Sequence, residues 1–231
     1  MDRSLKPLDV VYGGEVASSR QRVLRNTYAL LGLSMVPTVM GAWVGVATHF
    51  SPFAANPMMG FLAFMAISFG FFFGIEKFKN SGVGVLLLLG FTFFMGLMLS
   101  RLLGAVLGLH NGVQLISLAF GGTALVFVGM ATLASTMKRD LSNMGKWLTI
   151  GAVVLMAAAV ANIFLQLPAL MLTVSAMAVV IFSAFILYDL KRVIDGGETN
   201  YVTATLAVYL SVYNVFQSLL SILGILGGER D

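Results

Sequence analysis

Five ionisable side chains, Asp189, Lys191, Arg192, Asp195 and Glu198, crowd into ten consecutive positions of a chain that is 58% hydrophobic and only 10% charged. Asp189, Asp195 and Glu198 offer hard oxygen ligands of the kind calcium takes, yet their spacing matches no calcium loop such as the EF-hand. Asp189 stands apart, because it follows the apolar run VVIFSAFILY directly. A carboxylate at the inner edge of such a run is costly unless it is paired, hydrated or protonated. Two readings stand: Asp189 ends a helix in interfacial water with Lys191 and Arg192 meeting its charge, or it lies deeper as an ion-sensing or pH-sensing group. The Gly196-Gly197 pair permits a sharp turn, and Glu198, Thr199 and Asn200 supply acceptors to the first turn of a helix that follows Tyr201. A loop and a cap therefore account for the segment without a bound ion.

The next stretch, ATLAVYLSVYNVFQSLLSILG, is unusually polar for an apolar helix. At about 100° per residue, Ser211, Asn214, Ser218 and Ser221 fall within a stripe about 80° wide. Against lipid such a face is costly, so the helix is expected inside a bundle. The stripe either hydrogen-bonds to neighbouring helices or lines a water-filled path. Tyr209 and Tyr213, one turn apart, fit either arrangement.

Other chemistries find no support. The chain has no cysteine, which excludes disulfides, thiolate metal sites and cysteine nucleophiles. His49 and His110 are isolated on expected loops, and no nucleophile, base and orienting group recur together; no phosphate loop is present either. The expectation is a non-enzyme without a cofactor, with calcium at most a weakly bound or transported ion. Net charge is +4, but the basic residues form short clusters between apolar runs rather than a continuous face, so nucleic acid is not expected as a partner.

The elements that must position these residues follow from the bilayer. With so little charge the expected solvent is lipid, and only helices or closed barrels satisfy their backbone polar groups there. The apolar runs are continuous rather than alternating, which selects helices. Seven spans are expected, near Tyr28–Phe50, Pro57–Ile75, Val83–Ser100, Val113–Met137, Trp147–Leu165, Pro168–Tyr188 and Val202–Leu226. Fourteen Lys and Arg divide twelve to two between alternate connections, with Arg101 and Arg230 the minority. The positive-inside rule then places the N-terminus in the cytoplasm and the C-terminus outside. Residues 1–27 form an expected mobile cytoplasmic tail, 28–226 the membrane domain and 227–231 a short external end. Small residues four apart, Gly41 with Gly45 and Ser117 with Gly121, predict close helix packing. The expected fold is an all-α integral membrane bundle of seven helices whose last, polar-faced helix is central.

Five segments in order along the chain, VLRNTY at 23–28, GGTALVF at 121–127, ANIFLQLPAL at 161–170, GGETNY at 196–201 and SLLSILG at 218–224, resemble the transmembrane Bax inhibitor motif family. The resemblance implies a last helix wrapped by the other six. In some relatives it implies a pH-sensitive calcium leak gated by two aspartates that share a proton. The first aspartate falls on Asp189; the second falls on Ser211, a hydroxyl that cannot form a like-charge pair. The bacterial branch closest in these motifs implies a different role, binding and restraining the membrane-embedded FtsH protease in the inner membrane. The motif residues Gly196, Gly197, Glu198, Thr199, Asn200 and Tyr201 are carried over as a candidate family site.

Overall fold

A computed structural model describes residues 6–50 and 56–228, with side chains from Ser18 onward. Among these residues there are seven helices and no strand: α1 (Lys6–Ala47), α2 (Pro57–Phe78), α3 (Gly82–Leu107), α4 (Gly112–Thr136), α5 (Met144–Leu165), α6 (Pro168–Ile194) and α7 (Tyr201–Leu226). The shortest helices have 22 residues. At about 1.5 Å per residue that is roughly 33 Å, enough to cross a hydrocarbon core of about 30 Å. All seven are long and apolar enough to be membrane spans. Large apolar side chains point outward along the bundle, among them Trp43, Phe73, Leu125 and Val180. In water these exposures would be costly; against lipid they are the solvated surface.

Several helices outrun the apolar runs that announced them. α1 begins at Lys6 instead of near Tyr28, so the expected mobile tail is for the most part the first turns of a helix. Its last residues are packed as well: Thr27 is fully buried and Leu24 leans on the core. α3 continues to Leu107 and therefore carries Arg101 within the helix, where an external loop was expected. α6 continues to Ile194 and carries Asp189, Lys191 and Arg192. A hydropathy boundary falls at the first charge, whereas the helical hydrogen-bond ladder runs on until a turn residue stops it, here Gly108 after α3 and Gly196 after α6.

The last helix is the hub. α7 packs against α1, α2, α3, α4 and α6, and α5 leans mainly on α6. Its principal neighbours are thus five helices, one fewer than the resemblance implies. α7 is buried nearly all round, from Val202 and Thr205 through Tyr209 and Val215 to Leu220.

The most extensive contact joins α1 to α3. Glycine makes it possible on both sides. A Cβ at Gly41 would lie on the carbonyl of Phe93, 3.0 Å from its carbon and 3.1 Å from Leu97 N; a Cβ at Gly96 would lie 2.9 Å from Ala42 N. The two backbones touch, the arrangement that small residues provide in membranes. The second small-residue pair behaves otherwise. Ser117 and Gly121 are exposed and nothing comes within 4 Å of a Cβ at Gly121, while Gly122 faces Leu219. Spacing alone defined a stripe on α4; the rotation of that helix turned it outward.

Candidate functional site

At one end of the bundle the α2–α3 turn, the α4–α5 turn, the α6–α7 loop and the early part of α1 converge. Asn200 organises this end. Its side-chain oxygen accepts from Val202 N at 2.9 Å and Thr203 N at 3.3 Å, capping α7, while its amide donates to Asn80 Oδ1 at 2.8 Å and Lys79 O at 3.1 Å. One residue thus satisfies two orphan helix N–H groups and ties the loop to the α2–α3 turn. Gly196 has a φ of +82°, the left-handed conformation that favours glycine, and the Arg20 guanidinium of α1 rests where its Cβ would be. Glu198 accepts from Asn200 N at 3.0 Å.

The charges of this segment are mostly spent on one another. Lys191 pairs with Asp195 at 2.8 Å and Arg192 with Glu198 at 3.3 Å. The cations expected to meet Asp189 therefore have their direct partners elsewhere, Arg192 acting on Asp189 only at a distance. Asp189 makes no salt bridge among the described residues. It is partly buried on α6, five residues before the helix ends at Ile194. The side chains that act on it are Arg192, the Ser211 hydroxyl and Glu198. The fold thus brings Asp189 and Ser211 together from α6 and α7. The Ser211 hydroxyl also donates to Ala207 O at 3.2 Å. With one hydrogen, it serves that carbonyl or the carboxylate at any moment, so it holds Asp189 without neutralising it.

The polar stripe of α7 is interior, as its chemistry demands, but not in the way anticipated. Ser211, Ser218 and Ser221 are buried and Asn214 is partly buried. Ser211 and Asn214 bond back to their own helix, Asn214 Nδ2 donating to Leu210 O at 2.8 Å, and Ser221 Oγ has no partner among the described residues. Beyond the contact of Ser211 with Asp189, hydrogen bonds between helices come from other side chains of α7. Tyr213 donates to Met95 O at 3.1 Å, the Tyr209 and Thr38 hydroxyls pair at 2.9 Å, and Thr205 reaches Thr27 O at 3.4 Å. A phenol projects far enough to reach a neighbouring backbone, whereas a serine hydroxyl is short enough to prefer the carbonyl one turn back.

Among the described residues no three His, Cys, Asp or Glu side chains converge, so Asp189, Asp195 and Glu198 do not form a joint cage. Ion pairing draws Asp195 and Glu198 to separate cations, which leaves Asp189 with Ser211.

Of the motif segments named earlier, VLRNTY contains the buried Thr27, ANIFLQLPAL the α5–α6 turn in which Asn162 Oδ1 accepts from Leu167 N at 2.9 Å, GGETNY the Asn200 cap and SLLSILG the buried Ser218, Leu220 and Ser221, whereas GGTALVF opens on the outward-facing Gly121. The family model described as inhibitor of apoptosis-promoting Bax1 matches residues 20–228. The chain belongs to this Bax inhibitor family. Among curated relatives, an uncharacterised protein of Neisseria meningitidis serogroup A is 41% identical over 213 residues, covering 91% of this chain and 94% of the relative. The modulator of FtsH protease YccA of Escherichia coli K12 is 40% identical over 206 residues, covering 89% and 91%. An uncharacterised protein of Pseudomonas aeruginosa PAO1 is 39% identical over 207 residues, covering 90% of each chain.

In this Bax inhibitor chain two polar residues were not singled out as functional from sequence. Arg101 had been placed among loop cations, and Gln217 lies just off the serine stripe. Both face a cleft of about 1080 Å³ at the end of the bundle remote from Asp189. The signal for Gln217 was present: it is the only Gln within α7, nine residues before its end and so inside the span. None of Ser211, Asn214, Ser218 and Ser221 lines this cleft. The stripe lies away from this cleft, and the polar side chain of α7 that faces it is Gln217.

Proposed function

We propose that this multi-pass membrane protein resides in the bacterial inner membrane, with its N-terminus cytoplasmic and its C-terminus periplasmic, and that it binds and restrains the FtsH protease. The reading is carried by one observation, likeness over nearly the full length of both chains to a protein named as a modulator of FtsH. The distribution of basic residues supports the orientation. The mechanism we favour is a partner that is engaged without being extracted. A protease pulling from the cytoplasmic end meets α1 first. Pulling α1 out would part its glycine contacts with α3 and its bonds to Tyr209 and Thr205 of α7. Since α1 is helical from Lys6, the arm offers a helix surface rather than a loose end, and docking on it replaces gripping as the expected first contact.

Co-purification with FtsH and the degradation rate of a reporter membrane protein test the reading together. Deleting Asp2–Gln21 is expected to abolish restraint while leaving the bundle folded. No association of the intact chain with FtsH, or restraint that survives the deletion in full, would sink the partnership or the arm's part in it, respectively.

One observation favours a second reading, a cation leak. Asp189 keeps its carboxyl group beside Ser211 with no ion pair among the described residues, and Arg192 and Glu198 are the charged groups acting on it. A single carboxylate with a hydroxyl binds calcium weakly, with oxygen ligands only. Flux into liposomes that is the same for Asp189→Ala as for the unaltered chain removes this reading.

A further inference from the structure

The cleft remote from Asp189 is lined by Phe61 and Phe64 of α2, Met98 and Arg101 of α3, Met171 of α6 and Gln217 of α7. α2 packs on α3 and α5 on α6, while no extensive contact joins α2 to α5 or α6. The cleft is the gap between these two pairs, with α7 as its floor. It is mostly apolar but holds one full charge. Arg101 lies six residues before the end of α3, about 9 Å below it. α3 spans 26 residues, about 39 Å against a core of roughly 30 Å, so Arg101 sits a few ångströms inside the hydrocarbon boundary. An arginine at that depth extends toward the headgroup level, where an anion stabilises it.

Among the described residues no carboxylate pairs with Arg101, and none lines the cleft. The membrane itself supplies the missing charge at that level. A phosphate suits the planar guanidinium, which binds it through two parallel N–H groups. Below it the cleft continues along aromatic and methionine side chains to Gln217, nine residues or roughly 14 Å from the end of α7, a path shaped for a hydrocarbon chain. The volume is at the upper end of small-ligand sites, about 300–1,000 Å³. With no carboxylate among the described lining residues, the ammonium of a zwitterionic headgroup finds only the amides of Asn162, Gln166 and Gln217 and no opposite charge, so a net-negative headgroup is favoured.

We infer that this cleft is a binding site for an anionic phospholipid, with the phosphate on Arg101 and one acyl chain reaching toward Gln217. The site is distinct from the loops at the Asp189 end and does not depend on the FtsH reading.

Native mass spectrometry of the full chain, released from detergent with added phosphatidylglycerol or phosphatidylethanolamine, tests it. One phosphatidylglycerol is expected to be retained in preference to phosphatidylethanolamine. Arg101→Gln should lower that retention roughly tenfold, the loss of one charge-assisted contact. Met171→Trp, which fills the cleft and leaves the charge, should lower it too, whereas Lys146→Gln at the opposite end should not. Equal retention by Arg101→Gln, equal binding of the two lipids, or displacement by millimolar inorganic phosphate alone each overturns the proposal. A chain ending at Gly228 lacks Glu229 and Asp231 and is expected to retain the lipid undiminished. If only that shortened chain binds, the arginine's anion is the protein's own C-terminus and the inference fails.

Discussion

Replacing Gly41 by alanine probes the contact on which the bundle turns. The added methyl would fall on the Phe93 carbonyl, 3.0 Å from its carbon and 3.1 Å from Leu97 N, with only backbone atoms in its way. Ordinary contact distances are about 3.5–4.0 Å and the Phe93 carbonyl oxygen lies closer than either of those atoms, so α1 and α3 must part by more than about 1 Å, enough to forfeit about half or more of each neighbouring dispersion contact. Overpacking of this kind costs about 1–3 kcal/mol. The gain from replacing a helical glycine, about 0.5–1 kcal/mol, offsets part of it. A net loss of about 1–2 kcal/mol is expected. Gly32, on the same helix with nothing within 4 Å of its Cβ, is the control; Gly32→Ala should be neutral or slightly stabilising. Because Gly96 touches the same interface from α3, Gly41→Ala with Gly96→Ala should cost less than the two single changes added, since one separation relieves both. Reversible unfolding in mixed micelles, followed by far-ultraviolet circular dichroism, measures all four variants. Equal stability of Gly41→Ala and Gly32→Ala would refute the claim that the α1 and α3 backbones touch.

Tyr213→Phe removes the donor to Met95 O and, in the same unfolding assay, is expected to cost about 0.6 kcal/mol and no more than about 1.7 kcal/mol, the range for hydrogen bonds between membrane helices; a loss beyond that range means the phenol does more than bond one carbonyl. Gly196→Ala places a non-glycine residue at φ +82°, at a cost of roughly 1–2 kcal/mol, whereas Gly197→Ala meets only Arg192 Cγ at 3.2 Å and should be tolerated; limited proteolysis of the α6–α7 loop tells them apart, and equal cleavage rates would contradict the left-handed turn. Asp140 lies outside the spans and accepts from the N–H of Ser142 at 2.8 Å and its O–H at 3.0 Å, which hold its carboxyl below the ordinary 3.8. A depressed carboxylate contributes stability above the unfolded value and loses it as pH falls through the folded one, so the turn should loosen only below pH 3.8. Carbon-detected NMR titration should place the Asp140 midpoint below 3.8, with Ser142→Ala moving it upward; a midpoint indifferent to Ser142 would discount the hydroxyl's contribution.

Sparse charge and continuous apolar runs were enough to specify lipid as the solvent, helices as the spanning element and seven as their number, because a hydrocarbon core tolerates no other backbone arrangement in such a sequence. The burial of α7 was legible for a related reason: a stripe of Ser211, Asn214, Ser218 and Ser221 cannot face lipid cheaply. Asn200 as a cap and Gly196 as a turn were also legible, since each does something local that few residue types can do. What composition did not reveal was where partners come from. Lys191 and Arg192 looked like the counter-charges of Asp189, yet loop geometry pairs them directly with Asp195 and Glu198 and leaves only Arg192 acting on Asp189 through space. Ser117 with Gly121 matched the spacing of a packed pair as well as Gly41 with Gly45 did, and only the rotation of α4 turned it outward.

The sequence by itself determined which segments cross and which helix is inside, because those follow from transfer free energies that each residue carries wherever it stands. Tertiary structure alone decided that Lys191 and Arg192 pair with Asp195 and Glu198, that Tyr209 and Tyr213 bond to neighbouring helices, and that Arg101 and Gln217 share a cleft. The last two facts depend on the relative rotation and depth of helices distant in sequence. Such rotations are set by packing across the whole bundle, and no local pattern encodes them.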